Sequence, residues 1–217
     1  FHVNSVIGTF GEDAPPGRVP CPIWRESYTT ARYFFNLQGT VHLPIPAAAQ
    51  EVLGIIHQTG DPLLNDAVMS VMRGHMFQPV YVNPVHMTDG RWRQLAELMR
   101  WARRHEQDLM QTVPIVPESW KRGGTPRFTS NASMPREPYG YAHWGSDGGL
   151  VAVRNPWIER QSVSVDVPET VQAAREVVSV YPRVRSYAVA GKGGLRVELA
   201  PYETLVLAIG RAAARCS

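Results

Sequence analysis

Tyr139–Pro156 reads YGYAHWGSDGGLVAVRNP. Two β-rich runs, Tyr139–Trp144 and Leu150–Arg154, flank the turn Ser146-Asp147-Gly148-Gly149, and Asn155-Pro156 stops the second run. Asp-Gly between strand-like runs is a strong short-range hairpin signal, because glycine supplies the positive φ that such turns use. The hairpin is therefore expected to open an all-β unit. The residues before it read as strands and helices of an α/β layer, and those after it as short strands broken by turns.

Working downstream, Val163, Val165 and Val167 alternate with Ser162, Ser164 and Asp166, the pattern of a half-buried strand. Val177–Tyr181, Val184–Val189, Leu195–Leu199 and Thr204–Ile209 continue at regular spacing, split by Tyr181-Pro182, Lys192-Gly193-Gly194 and Pro201-Tyr202. Repeated short strands with turn signals between them indicate a small antiparallel β-sandwich. Such a unit is small for independent stability and is expected to pack on the part before it.

Upstream, the clearest helix is Asp89–Met110, after Thr88 as N-cap. Trp92, Leu95, Ala96, Met99, Ala102 and Leu109 recur at three- and four-residue spacing and predict a buried stripe, with Arg91, Arg93, Arg100, Arg103 and Arg104 towards solvent. Leu63–Gly74 reads as a second helix, opened by Pro62 and stopped by Gly74. Val3–Ile7, Thr40–Leu43 and Gln78–Val82 read as strands, and in Ala47–Gln58 helix and strand readings compete. His57 lies inside that apolar run, where a satisfied core or edge histidine competes with a base. Val113–Glu118, with two prolines, begins a connection, and the next stretch is rich in Gly, Pro, Ser and Thr and carries an Asn131-Ala132-Ser133 sequon. The expected organisation is α/β over 1–114, a linker over 115–138 and an all-β unit over 139–217.

The composition bounds the function. Of 217 residues, 44% are hydrophobic and 19% charged, which is ordinary for a folded protein and excludes a disordered chain. The formal charge of +3 is small, and the arginines of Arg91–Arg104 read as a solvated helix face, not a nucleic-acid footprint. No apolar run approaches the length of a membrane-spanning helix. Cys21 and Cys216 are too few for a disulfide framework or a metal cluster and are expected as free thiols. No cofactor signature is present: no GxGxxG after a strand, no P-loop and no HExxH. The chain begins FHVNSVIG, inside a strand-like run, and is expected to be the C-terminal part of something longer. After that run comes TFGEDAPPGRVPCP, a Gly/Pro-rich loop carrying Glu12 and Asp13. An acidic loop beyond a buried strand has the shape of an active-site loop in an α/β barrel, and equally that of a solvated loop.

The run GRWRQLAELMRWARRHEQDL, a linker, and then EPYGYAHWGSDGGLVAVRNP resemble the C-terminal half of a bacterial group of barrel proteins labelled enterotoxin-like. That group is similar to clan-D glycoside hydrolases, the α-galactosidase families. Its marks are a W-x-x-L-A-x-x-x-x-W helix, here Trp92, Leu95, Ala96 and Trp101, then a YGW-type strand and a strand ending in R-N-P. The resemblance covers about residues 70–158 and extends more loosely to Pro201–Leu207. It implies the C-terminal part of a (β/α)8 barrel followed by a small antiparallel β-sandwich, with the first barrel units outside this chain. It further implies a retaining α-glycosidase with two carboxyl groups acting on a carbohydrate substrate.

The family's nucleophile falls on a strand that would precede Phe1. Its acid/base motif, similar to D-S-I-W-R-G-G-E-D, aligns with Asn4–Asp13 and places Asp13 in that role, with Glu12 as second choice. Asn4 stands where the motif has Asp, the Trp-Arg pair is absent and one residue is inserted. Trp24, Arg25 and Tyr28 are the implied substrate-binding residues, the aromatics stacking on a sugar's apolar face. A carbohydrate-binding or cell-surface module that kept the fold and lost the chemistry is the alternative.

Overall fold

The computed structural model describes residues 3–4, 50–51, 55–56, 63–75, 78–117, 137–172, 176–187 and 194–216. The expected strand Thr40–Leu43, the residues Cys21 and His57 and the Asn131 sequon lie outside them.

Four short strands pair in parallel: β1 (Val3–Asn4) with β2 (Gln50–Glu51), and β3 (Ile55–Ile56) with β4 (Val80–Tyr81). Within the apolar run after Pro46, the described residues Gln50–Glu51 and Ile55–Ile56 are strand. Helix α1 (Leu63–Met72) joins β3 to β4. It ends because Gly74 takes φ +76, a left-handed conformation that stops a helix. A Cβ at Gly74 would also lie 2.3 Å from Thr112 Oγ1 and 2.4 Å from the Leu109 carbonyl.

After β4, a 3-10 turn (Pro84–His86) is capped by the Asn83 side chain, which accepts from the Val85 N–H. Helix α2 (Asp89–Arg104) comes next, and Thr88 caps it as expected, its Oγ1 accepting from the Arg91 N–H. The long helix expected over Asp89–Met110 breaks at His105, and α3 (Glu106–Leu109) continues beyond it. The His105 N–H satisfies the Trp101 and Ala102 carbonyls while its Nδ1 pairs with Asp108 Oδ2 at 3.0 Å, so the residue ends one helix and anchors the next.

The buried stripe is narrower than its spacing predicts. Leu95 is buried, Ala96, Met99 and Ala102 are half-buried, and Trp92 is 43% exposed. Trp92 stands in the first turn of the helix, and the small cluster beside that helix is made of Leu63, Ala67, Met87 and Leu95. The arginines at 93, 100, 103 and 104 are exposed, as their positions imply, and Arg91 is half-buried with Nη1 donating to the His86 carbonyl at 2.6 Å.

A six-stranded antiparallel sheet makes up most of the remainder. It contains β5 (Val113–Ile115), β6 (Tyr139–Trp144), β7 (Gly148–Arg154), β9 (Val177–Tyr181), β10 (Arg185–Tyr187) and β12 (Thr204–Gly210), in the order β10-β9-β12-β7-β6-β5. Strands β8 (Gln161–Val165) and β11 (Leu195–Leu199) form a separate antiparallel pair. Between β8 and β9 comes the short α4 (Glu169–Gln172), and α5 (Arg211–Cys216) lies after β12. Val113–Ile115, read as the start of a connection, is an edge strand paired with Gly140–Ala142.

Strands β7 and β12 lie at the centre and are buried on both faces, which is why GGLVAVR and TLVLAIG read as near-continuous apolar runs. One face carries Tyr139, Tyr141, Leu150, Ala152, Val178, Val206 and Ala208 against α1, Leu109 and Ala212-Ala213. The other carries Ile115, Ala142, Val151, Val153, Leu205, Leu207 and Ile209 against Val165, Leu195, Val197 and Leu199. Strand β11 alternates buried and exposed residues because only one of its faces is covered.

The hairpin forms between the two expected runs, but β7 begins at Gly148 where Leu150 was expected, Trp144 pairs with Gly149, and the glycines are needed for a different reason. Gly148 and Gly149 have ordinary φ; the positive-φ glycines among the described residues are Gly74 and Gly210. Glycine is required here by close approach. A Cβ at Gly148 would sit 2.4 Å from the Ile209 carbonyl oxygen, and one at Gly149 would meet the His143 carbonyl and the Trp144 ring at 2.5 Å.

Candidate functional site

Active sites of β/α barrels gather beyond the C-terminal ends of the parallel strands, because the βα loops there are free to vary while the strands hold them. In this chain that end is marked by Asn4, Glu51 and Tyr81. Glu12, Asp13, Trp24, Arg25 and Tyr28 come after β1 in chain order and lie outside the described residues. The described part of this end is Val82–Thr88, with the capped turn and the start of α2. Val80 and Tyr81 are 40% and 51% exposed, and Val85 at the turn stands clear of the surface.

The R-N-P ending of β7 is structural. Arg154 is fully buried and its Nη1 donates to Asp66 Oδ1 of α1 at 2.7 Å. Tyr181 on β9 donates to Asn65 Oδ1, one residue earlier on the same helix. Burial pushes the Tyr181 hydroxyl up to about 12, with the Arg154 charge pulling it down and the Asp66 charge adding to the rise. It therefore stays protonated and keeps its donor role. Asn155 is saturated: Nδ2 donates to the Glu159 and Ala200 carbonyls at 2.7 and 2.9 Å, and Oδ1 accepts from the Trp157 N–H and Gln161 Nε2 at 3.0 and 2.9 Å. Arg154 thus ties the sheet to α1, and Asn155 ties the end of β7 to the β11–β12 corner.

A second interlock lies at the other end of α1. His143 on β6 is buried, and its Nε2 bonds the Met72 carbonyl at 2.8 Å. Burial lowers its pKa to about 4, and the Met72 and Gln111 carbonyls and the Asp108 charge only partly oppose that shift. Thr112 Oγ1 donates to the Arg73 carbonyl at 2.9 Å, and Arg73 Nε donates to the Tyr141 hydroxyl at 3.2 Å. The Asp66–Arg154 and Met72–His143 pairings had a signal in the sequence: a charged or titratable residue inside an otherwise apolar strand requires a buried partner. Which helix supplies that partner is not encoded locally. Both networks hold one element on another.

No protein-family model matches the sequence, nor does any curated protein sequence. Solved structures do. The galactosidase domain of AgaSK, an alpha-galactosidase-sucrose kinase, is 15% identical over 85% of this chain and 24% of its own, with a TM-score of 0.52. A protein proposed to be an alpha-N-acetylgalactosaminidase, from Bacillus halodurans C-125, is 12% identical over 86% of this chain and 42% of its own, with a TM-score of 0.51. At such identities the likeness establishes the fold: this chain is built like part of an α-galactosidase-like glycoside hydrolase. It spans less than half of either structure.

Proposed function

We propose that this chain is the C-terminal portion of a glycoside hydrolase-like protein that cleaves an α-linked, galactose-type glycoside by a retaining, two-carboxyl mechanism. The observation that carries the reading is the fold shared with two structures named as galactosidase-type enzymes over 85% and 86% of the chain. On this reading β1 to β4 belong to a (β/α)8 barrel, and the strands from β6 onward form the small β-sandwich that packs on it. The exposure of both Val80 and Tyr81 supports it, since parallel strands are ordinarily covered on both faces. Further barrel strands from residues outside these 217 would cover β4.

Asp13 then protonates the glycosidic oxygen as a carboxylate from outside this chain, about 5–5.5 Å away, attacks the anomeric carbon. The C–O bond breaks, the leaving alcohol departs with the proton and a glycosyl ester remains on the nucleophile. Asp13, now ionised, deprotonates the water that hydrolyses that ester. Glu12 is the second choice for the acid, Trp24 and Tyr28 stack on the sugar, and Arg25 bonds its hydroxyls.

A second reading has its own observation. Asn4 and the missing Trp-Arg pair depart from the acid/base motif, which favours a carbohydrate-binding or cell-surface module that kept the fold. The test is Asp13→Asn in the protein that carries this chain, assayed on an aryl α-galactoside and on an unactivated α-galactoside. The expected loss is largest for the unactivated substrate, whose poor leaving group depends most on protonation. Unchanged turnover on that substrate would move the role to Glu12 or discard the catalytic reading. Sugar binding without hydrolysis by the unaltered protein would favour the second.

A further inference from the structure

A groove of about 420 Å³ runs between α1, α2 and the sheet strands β9 and β12, lined by Leu64, Leu98, Trp101, Val180 and Tyr181 among others. All five are half-buried side chains at the margin of the larger core cluster. The core thus continues into an open apolar wall, the kind of surface that takes apolar side chains of a partner.

The polar residues of the lining identify that partner. Gln94, Glu97 and Arg104 are exposed on α2 and, with Leu98 and Trp101, recur at three- and four-residue spacing, so they share one face of the helix. Glu97 and Arg104 stand two turns apart, about 10 Å along the axis, with Leu98 and Trp101 between them. Among the described residues neither charge has an ion-pair partner. We propose that two copies of this chain meet on this face about a two-fold axis, with their α2 helices antiparallel. A two-fold midway between the charges brings Glu97 of each copy to Arg104 of the other and sets both Trp101 residues beside the axis. A parallel pairing would oppose Glu97 to Glu97 and Arg104 to Arg104, so the charges select the antiparallel one. A partner carrying charge of one sign would satisfy one of these two residues and oppose the other. The apolar centre around Trp101 supplies the affinity, and the two ion pairs at its border set the orientation.

Sedimentation velocity on the protein that carries this chain, over a concentration series from low micromolar upward, is expected to show a monomer–dimer equilibrium. Glu97→Arg and Arg104→Glu each bring like charges together twice per interface, and each is expected to weaken the dimer at least about tenfold. Both positions are exposed, so the fold tolerates the reversals. Glu97→Arg/Arg104→Glu in one chain rebuilds both pairs and is expected to restore the dimer. Mixing the two single variants is expected to do the same, since one then carries two cations on this face and the other two carboxylates. Dimerisation of a protein with no hydrolytic activity would leave the interface standing and remove the glycosidase reading. A monomer at every concentration, a dimer that neither single reversal weakens, or a mixture no more associated than its components would overturn the interface.

Discussion

His143 makes acid sensitivity a quantitative test of the packing between α1 and the sheet. The folded chain holds the imidazole neutral, with a pKa lowered from 6.5 to about 4 chiefly by burial, whereas the unfolded chain takes up the proton at the ordinary value. The unfolded state therefore binds more protons between these two values, and stability falls as pH falls through that window. The difference corresponds to about 3 kcal/mol when fully expressed, below pH 4. By pH 5.5 roughly 1 kcal/mol of it is already lost relative to neutral pH.

His143→Gln keeps a donor near the Met72 carbonyl and removes the titration. Urea unfolding of both proteins at a series of pH values isolates the histidine, because the other titrating groups are common to the two and cancel in the difference. The expected result is that the stability advantage of the unaltered protein over the variant shrinks by roughly 1 kcal/mol between pH 7.5 and 5.5. A difference that stays constant across this range would show that burial does not hold His143 neutral.

Asp66→Ala strands the buried Arg154 guanidinium and is expected to cost about 3–5 kcal/mol, whereas Asp66→Leu/Arg154→Met recovers most of it; denaturant melts of the single and double variants check both. Gly74→Ala forces a Cβ into the Thr112 hydroxyl and the Leu109 carbonyl at φ +76, and is expected to cost more than about 2 kcal/mol. Gly90→Ala, in the first turn of α2 where the added Cβ would lie 3.7 Å from Thr88 Oγ1, is expected to stabilise by about 0.5–1 kcal/mol in the same melts. Leu95→Ala is expected to cost about 2–5 kcal/mol and Trp92→Ala well under that, since only the first is buried; equal losses would contradict the exposure of Trp92.

The two main helices and the longer strands after residue 62 were legible in the sequence because they rest on local chemistry. Thr88 caps a helix wherever it precedes one, Gly74 ends one, and the alternation in Gln161–Val165 and Leu195–Leu199 states that a single face is covered. Leu150–Arg154 and Thr204–Ile209 were legible as strands, whereas the covering of both their faces emerged only in the fold. Contacts between distant segments were not legible. The Trp92 side chain is exposed although it falls on the apolar stripe, because periodicity cannot report where a packing partner stops. Val113–Ile115 became a strand because β6 offered it an open edge, overriding a proline that its own sequence presents as a break. The glycines of the β6–β7 turn were identified as necessary, but their reason, contact with the Ile209 and His143 carbonyls, exists only once β12 lies beside β7. The same holds for the R-N-P ending: the tertiary fold alone brought Asp66 to Arg154 across 88 residues of chain. A cap, a turn or a periodic face is satisfied within a few residues, whereas a buried charge, a close approach or a cavity wall is satisfied only by whatever the whole chain packs against it.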